Sequence, residues 1–178
     1  TMRYVALLRA VNVGGCKLPM AELRETCAEL GWDQVETYIQ SGNIVFEVAG
    51  KPAALEAALE QAVAKRFGFE RPVIVRSAKQ WADYAKGSPF PDAERDEPNR
   101  LMLALSKSPP KAEAAKLLEE KASAGEQVKL KGDALWIHYP AGAGTSKLTP
   151  ALFDKAAGSP VTQRNWRTVL KLQEMLQA

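Results

Sequence analysis

Arg9, Asn12, Gly14 and Gly15 close the run YVALLRAVNVGG, residues 4–15, and their types together suit the holding of an anion. An arginine brings a fixed positive charge and a planar fork of donors. An asparagine amide adds two N–H groups, and adjacent glycines let backbone N–H groups approach a ligand closely. A second group, Gln40, Ser41 and Asn43, sets amides and a hydroxyl around Gly42. The plainer reading of both groups is two tight turns, because glycine and asparagine are default turn formers.

Further along, TQRNWRTVLKL, residues 162–172, brings Arg164, Asn165 and Arg167 to what reads as a helix start. Such a start leaves backbone N–H groups unsatisfied and favours anions. Arg164, Arg167 and Lys171 fall three and four residues apart and would share one helix face. The plainer reading is an amphipathic helix with a solvated basic side. Lys147 ends the loop PAGAGTSK, residues 140–147, which has glycines and hydroxyls but not the spacing of a Walker phosphate loop. His138 is the single histidine and lies on a strand pattern. Histidine as a type suits proton transfer, yet no serine, cysteine or carboxylate stands at a fixed spacing from it. Cys16 reads as an ordinary loop thiol.

The bulk composition narrows the classes. A net charge of +3 over 178 residues permits an anionic ligand but is not the dense basic footprint of a dedicated nucleic-acid binder. One histidine and two cysteines argue against a zinc centre, so no metal and no cofactor are expected. No apolar run reaches the roughly 20 residues of a membrane helix. The opening residues read as a strand rather than a secretion signal, and the sparse cysteines fit a reducing compartment. A cytoplasmic location with no membrane partner is the expectation.

The elements that must carry these residues follow from periodicity. A strand over 3–11 lacks a polar face, as a strand covered on both sides does. Met20, Leu23, Cys27 and Leu30 have helical spacing, and Gly31 ends that helix. Strands over 35–40 and 44–48 flank the turn at 41–43. A helix opens at Pro52 with Leu55, Leu59, Val63 and Phe67 facing inward, and a strand follows over 72–75. This order, β-α-β-β-α-β, is the ferredoxin-like split arrangement. Its sheet order, 4-1-3-2, puts the end of the first strand beside the turn at 41–43. Residues 88–99, SPFPDAERDEPN, read as a linker. Beyond it come a strand over 100–105, a helix from Pro110 burying Ala114, Leu117, Leu118 and Ala122, a hairpin about Gly132-Asp133, a short helix capped by Thr149, and a last helix capped by Thr162. The expected architecture is therefore α+β: a ferredoxin-like subdomain over 2–87 packed against a second, smaller α+β subdomain over 100–178.

The blocks MRYVALLRAVNVGG, PMAELRETCAELGW, TYIQSGNIVFE, YPAGAGTSKLTPALFDKA and VTQRNWRTVLKL resemble the bacterial domain of unknown function 1697 family, over nearly the whole chain. The resemblance implies a soluble bacterial protein of two α+β subdomains, the first ferredoxin-like. It implies no reaction, cofactor or catalytic residue.

Three functional readings follow. The first is a binding protein for a phosphate-bearing or other anionic ligand, a nucleotide or nucleic acid, using Arg9, Asn12, Gly14, Gly15, Gln40, Ser41, Asn43, Lys147, Arg164, Asn165 and Arg167. The second is a small-molecule transferase or hydrolase with its site between the subdomains, in which Arg9 and Lys147 hold an anionic substrate and His138 or Tyr139 moves a proton. The third is a structural or protein-interaction module.

Overall fold

The residues of the first strand, β1 (Met2–Leu8), are apolar except Arg3, and Tyr4 through Leu8 are all buried. A computed structural model describes residues 1–12 and 16–178 of the chain; Gly14 and Gly15 lie outside the described residues. The chain divides into two units, Thr1–Ala82 with Leu172–Ala178, and Asp83–Lys171.

In the first unit the order after β1 is α1 (Met20–Glu29), β2 (Asp33–Tyr38), β3 (Asn43–Val48), α2 (Pro52–Phe67) and β4 (Val73–Ser77), then α3 (Ala78–Ala85), which begins there. The sheet runs β2-β3-β1-β4 with antiparallel neighbours, the ferredoxin-like order. Tyr4, Ala6 and Leu8 join Phe46, Leu23, Cys27, Leu59 and Val63 in one core. Trp32 stacks on Phe46 with ring centroids 3.9 Å apart. Val5, Leu7, Val45 and Ile74, on the other face of the sheet, are buried as well, as the missing polar face of β1 requires.

Burial pushes the Cys27 thiol up to about 12. An unfolded thiol ionises near about 8.5. The folded state therefore holds the proton more tightly, so this contribution is intact below pH ~8.5 and is lost as pH rises toward ~12. We expect the unfolding free energy to fall by about 1.4 kcal/mol per pH unit from this group between roughly pH 9 and 11. Urea titrations at a series of alkaline pH values read that slope, and Cys27→Ala should remove it while lowering stability at pH 7.

The second unit contains α4 (Pro91–Asp96), a 3-10 turn (Pro98–Arg100), β5 (Leu101–Ser106), α5 (Ala114–Lys121), β6 (Gln127–Lys131), β7 (Ala134–His138), α6 (Pro150–Ala157) and β8 (Val161–Asn165); α7 (Trp166–Gln177) begins there. Its sheet, β6-β7-β5-β8, repeats the order of the first. The sequence reading left this half one strand short. Thr162, read as a helix cap, instead pairs with Leu105 inside β8. The cap of α7 is Asn165, whose Oδ1 accepts from the Thr168 N–H at 2.9 Å. Residues 88–99, read as a linker, carry α4 and most of the 3-10 turn. Leu118 of α5 is buried, but Leu117 is 41% exposed.

Candidate functional site

The end of β1 is clasped on both sides. The Leu8 N–H donates to Gly42 O at 2.9 Å and the Arg9 N–H to Pro72 O at 3.1 Å. The chain then turns sharply, with Ala10 and Asn12 at φ 56° and 59°. This is why β1 stops at Leu8 rather than running on to Val11. The expected meeting of this loop with the turn after β2 is present. Asn12 Nδ2 donates to Gln40 O at 2.6 Å and to Leu18 O at 3.0 Å, and Asn12 Oδ1 accepts from the Leu18 N–H at 2.8 Å.

Both amide hydrogens of Asn12 are therefore spent on backbone oxygens. Asn43 is fully buried, and its Nδ2 donates to Tyr38 O at 3.0 Å and Ser41 Oγ at 2.9 Å. The two asparagines hold the loop and the turn in place. Gln40 gives its carbonyl to Asn12 and is otherwise exposed.

Ile39, in the same turn, has φ 49° and is 52% exposed. A β-branched residue in the left-handed region is strained by roughly 1–2 kcal/mol. Ile39→Asn should therefore raise stability by about 1 kcal/mol, read as a higher urea midpoint with an unchanged slope.

Three cations belong to this edge: Arg9 and Arg71, both half-buried, and Lys17, which is exposed. Arg71 Nε donates to Ala10 O at 3.5 Å, one Nη to Glu70 O at 2.7 Å and the other to Cys16 Sγ. Its guanidinium lies over the Phe69 ring, 5.2 Å from the centroid. Among the described residues no carboxylate pairs with Arg71 or Lys17. Arg71 was not among the sequence candidates. The signal was available: it precedes Pro72, and the order 4-1-3-2 sets the start of the fourth strand beside the end of the first.

The remaining candidates lie in the second unit and do not act alike. Lys147 and Arg167 are exposed. Arg164 is a strand residue, buried, donating to Thr162 Oγ1 at 2.7 Å and Gln163 O at 2.9 Å. Because it precedes the helix, helical spacing does not put it on a face with Arg167. Burial pulls its pKa down to about 10, so it stays charged at neutral pH. Tyr139 is buried, donates to Gln163 Oε1 at 2.9 Å, and is pushed up to about 12 by burial, out of range for proton transfer near neutrality.

His138 has a carboxylate partner that sequence spacing does not reveal. Its Nε2 lies 3.1 Å from Glu97 Oε1. Arg100 donates to Glu97 Oε2 at 3.2 Å and also to Pro140 O. Glu97 stands in the segment read as a linker, 41 positions from the histidine, so spacing along the chain does not connect the two. A cavity of about 310 Å³ adjoins, lined by Pro89, Phe90, Pro91, Asp92, Ala93, Gln127 and His138. Among the described residues no cluster of histidine, cysteine and carboxylate groups is placed to hold a metal ion. No helix there is long and apolar enough to cross a membrane.

Comparison with known proteins gives a family and a fold. The family described as "Protein of unknown function (DUF1697)" matches residues 2–136. A solved structure, that of the conserved bacterial protein SP0830 from Streptococcus pneumoniae, is similar over 99% of both chains with a TM-score of 0.72 and 24% identity. That likeness is one of fold. No curated protein matches the chain.

Proposed function

We propose an activity from the chain's own residues, because the chain belongs to the DUF1697 family of proteins of unknown function and that membership assigns none. The reading is that the first unit binds a phosphate-bearing or other small anionic ligand at the end of β1. The observation that carries it is the gathering of Arg9, Lys17 and Arg71 on one loop edge, with no carboxylate pairing with Arg71 or Lys17 among the described residues. Arg71 and Lys17, which no carboxylate neutralises among the described residues, add a positive potential that draws anions.

The backbone supports the same reading. Ala10 and Ile39 are non-glycine residues held at positive φ on either side of the edge. Strain of this kind persists only where surrounding bonds over-determine it, and it concentrates at ligand sites. Here the Asn12 and Asn43 amides supply those bonds. Each has a positioning role, and the cations face the ligand.

Inorganic pyrophosphate is the direct probe, titrated while the amide NMR signals of residues 9–12 and 40–42 are followed. Saturable shifts at those residues are expected, with Lys17→Ala weakening binding about tenfold through loss of one charged contact. Lys17 is exposed, so the variant keeps the fold. Shifts confined to other parts of the chain, or binding indifferent to both Lys17→Ala and Arg9→Met, would sink the reading. Replacing pyrophosphate with a single-stranded oligonucleotide tests the nucleic-acid form. That form requires log affinity to fall steeply and linearly with log salt.

A further inference from the structure

His138 and Glu97 stand together on one face of the second sheet. Gln127 pairs with His138 and Lys129 with Trp136 across β6 and β7, so these four side chains share that face. Leu135, Ile137 and Tyr139 point the other way, into the core with Leu118 and Phe153 of α5 and α6. The segment carrying α4 lies along the His138 side. Lys129 Nζ sits 4.9 Å from the Phe90 ring centroid, and the Phe90 and His138 ring centroids are 6.1 Å apart.

We infer that the cavity between Phe90 and His138 is a site for a small, neutral, flat molecule bearing one hydroxyl donor, of the aryl-alcohol class. Three observations carry this, all independent of the anion site proposed for the first unit. The first is shape and lining. About 310 Å³ is at the small end of ligand pockets, and Pro89, Phe90, Pro91 and Ala93 give it apolar walls for one ring system. The second is charge. The carboxylates around it are already engaged, Asp92 with Arg95 and Glu97 with Arg100 and His138, and Lys129 lies over the Phe90 ring. A cationic ligand would find no carboxylate to spare, whereas a neutral one leaves each pair intact.

The third is the polarity of the imidazole. Glu97 on Nε2 fixes the neutral ring as the tautomer with its hydrogen on that nitrogen. Nδ1 then carries a lone pair, and it has no hydrogen-bonding partner among the described residues and is not a buried polar atom. His138 lines the cavity, and a lone pair on its ring asks for a donor, which the ligand hydroxyl supplies. The carboxylate behind the ring strengthens Nδ1 as an acceptor.

His138 is the single histidine in the chain, so its ring nitrogens give unambiguous NMR signals. The experiment titrates the full chain with phenol and, separately, with anisole, which has the same ring but no donor. Phenol should move the Nδ1 resonance saturably and show nuclear Overhauser contacts to Phe90 and Ala93 protons. Anisole should bind about tenfold more weakly, the factor one hydrogen bond supplies, and leave Nδ1 in place. Phe90→Ala should weaken phenol binding, and the Overhauser contacts in the unmodified chain answer the same question if that variant does not fold. Equal affinity for phenol and anisole, or no saturable movement of Nδ1, overturns the proposal. So do phenol contacts to residues that do not line the cavity.

Discussion

Gly42→Ala should lower the unfolding free energy by about 3 kcal/mol, far beyond the usual cost of a surface glycine change. Two effects add. Gly42 has φ +83°, where an L-residue is strained by roughly 1–2 kcal/mol. A Cβ there would also lie 2.9 Å from Leu8 Cβ and 2.9 Å from Val11 Cγ2, both on buried residues. Those atoms cannot give way freely, and overpacking of this kind costs about 1–3 kcal/mol. Gly68→Ala is the matched control. Gly68 has φ +78° but nothing within 4 Å of its would-be Cβ, so only the conformational share, about 1 kcal/mol, should appear. Urea unfolding of the two variants separates the terms. Equal losses would mean that β1 and the turn after β2 are not packed at Gly42 as tightly as these distances require.

That close approach was legible in the sequence. Once the order β-α-β-β-α-β is read from the helix at Pro52 and the strands on either side of Ser41, the end of β1 must meet the turn. The apolar run on both faces of β1 was equally plain, and Val5 and Leu7 are buried with Tyr4 and Ala6. The second unit was harder for a local reason. Val161–Asn165, VTQRN, has too few apolar residues to announce a strand, and Thr162 is a good helix cap by type. The ladder to β5 decided the matter, with five residue pairs from Met102↔Asn165 to Ser106↔Val161. Pairing of this range is invisible to a reading of neighbours along the chain.

The functional residues divide along the same line. Asn12 and Asn43 stood out by type, but type alone does not say whether an amide points at a ligand or at the backbone; both point at backbone oxygens. Helical spacing would turn Arg164 to solvent, whereas its place in β8 buries it. Glu97 was hidden because three prolines and a run of charge make residues 88–99 look like a spacer. Proline there instead opens α4 and the 3-10 turn, at Pro91 and Pro98, where its missing N–H costs nothing. Punctuation residues mark a boundary without saying whether the next few residues pack.

Asn12→Asp should be the most revealing single change at the first edge, with a loss of about 3 kcal/mol at pH 7. The two side chains have nearly the same shape, so packing is preserved. Both N–H donors vanish, and a carboxylate oxygen takes the place of a nitrogen 2.6 Å from Gln40 O and 3.0 Å from Leu18 O. Only the Leu18 N–H, 2.8 Å from Oδ1, still matches an acceptor. The carboxylate is thus held against two carbonyl oxygens, which raises its folded pKa above the unfolded value of about 3.9. The sign follows from that shift. A group that binds its proton more tightly when folded favours the folded state as pH falls, so the deficit should shrink progressively below the raised pKa. Protonation also restores one donor, toward Gln40 O or Leu18 O. Asn12→Ala loses the same bonds without adding charge and should cost about 2 kcal/mol, with no such pH dependence relative to the parent. Urea midpoints of the three proteins across acidic pH decide between them. If the Asp and Ala variants lose stability equally and in parallel with pH, the Asn12 amide is not oriented with its nitrogen toward Gln40. The loop would then be held by the turn at Gly42 alone, and the cations Arg9, Lys17 and Arg71 would lack the fixed backbone that the anion site requires.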